Sequence, residues 1–213
     1  MKREFFLLLL FARIVLPLHA DDGAQLWSQP QSGLEARLFI SPARSADYAY
    51  GISIEFYNLL ENSSGIGVDM PLNFSRDDLV VTVRDAAGHI IKPTPPQILD
   101  EMVPAWSWRL PAYGRISFPI ARGGGTPSQG QGQGKFLSFG GEQQWGLPPT
   151  GGPFRVSATL YSDFRQAIRA QVEAQGRPLP DQPNLDQPRR RPGELHGGWE
   201  GTLDLPPIDL PQN

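Results

Sequence analysis

The chain has 213 residues, with 19 basic and 22 acidic side chains, 39% hydrophobic residues and no cysteine. Without cysteine, disulfides, thiolate nucleophiles and zinc–thiolate sites are all excluded. The formal net charge of −3 argues against a nucleic-acid partner, because that binding runs on excess lysine and arginine.

Residues 1–20, MKREFFLLLLFARIVLPLHA, open with Lys2 and Arg3, turn apolar from Phe5 and end in a small residue before Asp21–Asp22. This is the order of a secretory signal peptide, with cleavage expected after Ala20. Arg13 and Pro17 interrupt the apolar run, which is too short to span a bilayer. No stable membrane insertion is therefore expected after cleavage. Removing Lys2, Arg3, Arg13 and Glu4 leaves 16 basic and 21 acidic side chains, a net charge of −5. Residues 21–213 are expected to form a single β-sandwich domain, long enough to build a core without disulfides. Export combined with the lack of cysteine points to a periplasmic or extracellular protein of a bacterium.

Along the chain, GLEARLFIS from Gly33 alternates Leu34, Ala36, Leu38 and Ile40 against Glu35 and Arg37, the pattern of a half-buried strand. A second strand spans 50–60, with Ile52, Ile54 and Phe56 on one face, and ENSSG at 61–65 is a turn by composition. DLVVTVR, DAAG and HIIKP over 78–93 predict a hairpin, and Ile116, Phe118 and Ile120 alternate after WSWRLPAYG. Residues 121–134, ARGGGTPSQGQGQG, are a flexible Gly/Gln loop, with GKFLSF as a short strand beyond it. FRVSATLYS at 154–162 is a further strand.

One helix is predicted over 163–176. Ser162 or Asp163 caps it, Phe164, Ala167, Ile168 and Val172 form its apolar stripe, and Gly176 stops it. Residues 177–194 are a proline-rich loop. The chain then returns in a closing strand over 196–210, where Trp199, Gly201, Leu203 and Leu205 share a face and Pro206–Pro207 end the ladder. Seven or eight short strands with one helical excursion before the last point to a mainly β fold, an antiparallel two-sheet sandwich.

The order of these features, Trp27 before GLEARL, then GISIEFYNLLENSS, VTVRDAAGHII, RISFPI, PFRVSATLYSD and WEGTLDLPPIDL, resembles the immunoglobulin-like or fibronectin type III-like domains of exported bacterial proteins. A looser similarity is to the bacterial intracellular proteinase inhibitor fold. The resemblance covers roughly residues 27–163 and 195–210. It implies a fold, and leaves function to the sites carried on it.

No catalytic set is legible. The mature chain holds two histidines, His89 in the hairpin and His196 before Gly197–Gly198, and neither G-x-S-x-G nor H-E-x-x-H occurs. Asp77–Asp78 and Asp100–Glu101 are adjacent in sequence, so on a strand each pair would point to opposite faces. The spacing of calcium ligands is missing, and the glycines at 123–134 are not followed by a helix pattern that could hold phosphate. No metal and no cofactor is expected. Arg189–Arg191 reads as a solvated loop.

The candidate ligand-binding residues are Trp106 and Trp108, two apart and hence on one strand face, where indoles either stack on sugar rings or pack into the core. Trp27, Trp145 and Trp199 are expected to plug strand ends. The leading expectation is a non-enzymatic binding or accessory module whose partner is an envelope protein or polysaccharide. A proteinase inhibitor acting through its loops, and a weak hydrolase, are the alternatives.

Overall fold

Alternation along the chain builds the strands. In β1 (Leu34–Ser41) Leu34, Ala36 and Leu38 are buried, and the residues between them are only half so. The same period of two buries Ile52, Ile54 and Phe56 in β2 (Tyr50–Asn58) and Val156, Ala158 and Leu160 in β10 (Arg155–Tyr161). The remaining strands are β3 (Met70–Phe74), β4 (Leu79–Arg84), β5 (Ile90–Ile91), β6 (Trp106–Leu110), β7 (Arg115–Gly123), β8 (Lys135–Phe139), β9 (Gln143–Leu147) and β11 (Thr202–Asp209), with one helix, α1 (Phe164–Ala174), before the last. The computed structural model describes residues 26–45, 48–94, 106–124, 135–139, 143–148, 152–174 and 197–211. The expected signal peptide at 1–20, the loop at 177–194, Arg189–Arg191, His196, Asp100–Glu101 and residues 125–134 of the Gly/Gln loop lie outside them.

All strand pairs are antiparallel. They make three sheets, ordered β1-β2-β7-β8-β9, β11-β10-β4-β5 and β3-β6, whereas two were expected. Asn58 links two of them. It is fully buried at the end of β2, and its amide nitrogen donates to the carbonyls of Val68, Leu110 and Pro111, while its oxygen accepts from the N–H of Leu60. The carbonyls of Leu110, the last residue of β6, and of Pro111 after it are thus held by a side chain from the end of β2. The β3-β6 pair stands as its own small sheet. Beyond β3, a single 3-10 turn at Arg76–Asp78, closed by a reciprocal Ser75–Asp78 capping box, sends the chain into β4 of another sheet. Side chains from all three sheets nevertheless meet in one core.

The hairpin predicted around DAAG is present, with Arg84 opposite Ile90 and Val83 opposite Ile91. The helix also forms, and Asp163 is its cap: its carboxylate accepts from the N–H of Arg165 at 3.0 Å. Ser162 instead exchanges hydrogen bonds with Gly201, donating its N–H to the Gly201 carbonyl and accepting the Gly201 N–H on its hydroxyl. That ties the helix start to the lead into β11.

Two expectations about β11 are corrected. Pro206–Pro207 do not end it; they sit opposite the single Ser157, between the pairs Val156–Ile208 and Ala158–Leu205. This is a bulge on an edge strand, where missing N–H groups cost no ladder bond, and it carries Ile208 and Leu210 into the core. Trp199 lies ahead of the strand rather than within it.

Candidate functional site

The two candidate tryptophans are on β6, facing β3: Trp106 opposes Phe74 and Trp108 opposes Leu72. Their rings share a face, with centroids 6.2 Å apart. Phe118 of β7 packs against both, 4.2 Å from Trp108 and nearly parallel to Trp106 at 6.4 Å. The outcome differs between them. Trp108 is half-buried against the core, whereas Trp106, at the strand end, stays 43% exposed. Trp106 is thus an indole offered to solvent on a rigid aromatic base of Phe74 and Phe118.

The guanidinium of Arg76, from the 3-10 turn, lies 5.8 Å from the Trp106 ring centroid. Arg76 also donates to the carbonyl of Pro119 at 3.4 Å. Pro119 belongs to a second bulge: Ser53 pairs with Pro119 and Ile52 with Ala121, which leaves Ile120 as the extra residue. The other edge of β7 meets β8 only at Ala121–Gly123. At this corner, where the bulge displaces β7 and the β8 pairing begins, a cleft of about 320 Å³ opens, and Arg76 is part of its lining.

Arg44, from the loop after β1, and Arg122, from β7, line the cleft with Arg76, and all three are exposed at its rim. Buried Gly51, Ile120 and Ser138 form its floor. Among the described residues no aspartate or glutamate lines it. The Arg122 guanidinium lies over the Tyr48 ring, 4.4 Å from its centroid. Three cations around one small concavity create a positive potential in an acidic chain. None of these arginines was singled out from sequence, since they come from separate segments with no local spacing. Pro119 inside the alternating ISFPI was the one local sign of the bulge, whose residues Pro119 and Ile120 line the cleft.

The other sequence candidates are elsewhere. His89 caps its own hairpin: its N–H donates to Asp85 at 2.8 Å and its ring lies 3.1 Å from the same carboxylate. Desolvation works to raise the pKa of Asp85, but hydrogen bonds from His89, its charge and the Ala87 N–H together outweigh this and hold the carboxyl below its ordinary value. Asp77 and Asp78 belong to the 3-10 turn, and Asp78 is consumed by the cap. Among the described residues no group of three or more His, Asp or Glu could hold a metal ion, and no helix is long and apolar enough to cross a membrane.

Trp145 is buried and donates its indole N–H to the carbonyl of Ile91 at 3.0 Å. Trp27 is not a strand-end plug. The guanidiniums of Arg37 and Arg115 approach its ring at 4.7 and 5.4 Å, and it packs beside Tyr57.

No protein-family model matches the chain, no curated protein matches it, and no solved structure matches it.

Proposed function

We propose that this chain is an exported, non-enzymatic module of immunoglobulin-like β-sandwich type that binds a polysaccharide of the bacterial cell envelope. It works in the periplasm or outside the cell, without a cofactor. The observation that carries this reading is Trp106. An indole left exposed on a rigid aromatic base costs the protein unburied apolar surface, and sugar rings are ligands that use such a face. The concave cleft beside it supplies polar groups for orientation, as carbohydrate and other small-ligand sites need. An envelope protein is the competing partner, and Trp106 favours the glycan because the exposed surface is one ring beside a narrow cleft rather than a broad apolar patch.

The test is a glycan array probed with the full chain and with Trp106→Ala. Binding to a defined glycan class is expected, reduced at least about tenfold in the variant, the scale of one lost stacking contact. Because Trp106 is partly exposed, its thermal midpoint should stay close to that of the parent. Glycan binding that survives the substitution unchanged, or no glycan bound at all, overturns the proposal.

A further inference from the structure

We infer that the Arg44–Arg76–Arg122 cleft is an oxyanion site, taking a carboxylate, sulfate or phosphate group carried by a glycan that continues across Trp106. This rests on the carbohydrate reading above and narrows it to acidic glycans.

Charge pairing is the first ground. Arg37, Arg155 and Arg165 each have a carboxylate partner, in Glu55, Asp209 and Asp163. The cleft arginines make no ion pair with a described carboxylate, and among the described residues no carboxylate lines the cavity they share. Three like charges facing one concavity repel one another, and an anion between them removes that repulsion while accepting charge-assisted hydrogen bonds.

Preorganisation is the second. Arg76 is held by the Pro119 carbonyl and the Trp106 ring, and Arg122 by the Tyr48 ring. Neither must be ordered anew when a ligand arrives. Ser138, only 3% exposed, adds a hydroxyl-bearing side chain to the floor.

Continuity is the third. Arg76 belongs to both features, lining the cleft and lying over Trp106. A ligand whose anionic group sits among the arginines is thereby brought beside the exposed indole. A cleft of about 320 Å³ suits one acidic sugar unit, at the small end of ligand sites.

The experiment follows the Trp106 indole N–H resonance, assigned by its disappearance in Trp106→Phe, at constant ionic strength. The full chain is titrated with inorganic phosphate, a uronic-acid oligosaccharide, a sulfated oligosaccharide and a neutral oligosaccharide of equal length. The expected result is saturable binding of an acidic oligosaccharide, tighter than phosphate and than the neutral chain. Arg44→Ala and Arg122→Gln, both at exposed positions, should each weaken it about tenfold or more, on the scale of a lost charge-assisted hydrogen bond. A circular-dichroism melt checks that both variants fold. Equal binding of acidic and neutral chains, unaffected by the arginine variants, overturns the oxyanion site and leaves the carbohydrate reading standing. Phosphate binding that depends on Arg44 and Arg122, with no oligosaccharide bound, keeps the site and overturns its glycan source. No response to any of the anions overturns the inference.

Discussion

Trp199 donates its indole N–H to the main-chain carbonyl of Gln31 at 2.8 Å, across 168 positions of sequence. Its backbone N–H donates to the carbonyl of Pro71 at 2.9 Å. One residue therefore bonds to the lead into β1, lies against β3 and precedes β11, so it joins all three sheets. The close approach depends on the residue before it: a Cβ on Gly198 would sit 2.6 Å from the side-chain nitrogen of Asn73.

Trp199→Ala is expected to cost about 3–5 kcal/mol, the range for removing a buried tryptophan. Trp199→Phe should cost less, since it keeps the apolar bulk and loses the bond to Gln31. Truncation after residue 194 removes Trp199, Leu203, Leu205, Ile208 and Leu210 from the core and is expected to abolish cooperative unfolding altogether. Urea melts of the three proteins check this. A truncated chain with a sharp, parent-like transition would show that β11 is dispensable.

Asn58 predicts a second large effect. Asn58→Leu has similar volume but leaves three carbonyls and the Leu60 N–H without the partners they have now. Loss of about 2–4 kcal/mol is expected, because buried polar groups are left unsatisfied. Asn58→Asp should be as damaging, since a carboxylate cannot donate to carbonyls. Chemical denaturation reads both, and a change within about 0.5 kcal/mol, the usual range for an inconsequential surface site, would contradict the role given to Asn58.

Tyr50 gives the chain a pH signature. Burial pushes its hydroxyl from 10.0 up to about 12. A group whose pKa is raised on folding stabilises the fold fully below its unfolded value and loses that contribution as pH rises through the folded one. Stability should therefore fall between pH 10 and about 12 through Tyr50, and Tyr50→Phe should flatten that part of the curve. Its ring packs over Gly123 across the β2–β7 pair, where an added Cβ would lie 2.5 Å from the hydroxyl oxygen. Gly123→Ala is thus expected to destabilise by about 1–3 kcal/mol through overpacking. Thermal melts against pH, for parent and both variants, test the two statements together.

Much of the secondary structure was written locally. Leu34–Ile40, Ile52–Phe56 and Phe154–Leu160 alternate because a strand packed on one side repeats every two residues, and that period needs no knowledge of the partner strand. Asp163, the apolar stripe at Ala167 and Ile168, and the DAAG turn are likewise short-range signals. Strands β3 and β9 escaped because MPLNF carries a proline and QQWGL a glycine, and each has too few residues for a period to stand out.

What only the tertiary structure decided is how these pieces meet. The strands fall into three sheets rather than two, and buried Asn58 ties the end of β2 to carbonyls more than 50 positions away. Trp106 and Trp108 have the same residue type, the same strand and the same face, and no local pattern separates them. Their difference in exposure is set by Phe118 and the core beneath, which come from other strands. The arginine cleft is the clearest case: Arg44, Arg76 and Arg122, from three separate segments, converge on a cleft that the bulge residues Pro119 and Ile120 also line. Alternation is a property of neighbours along the chain, and convergence is a property of neighbours in space.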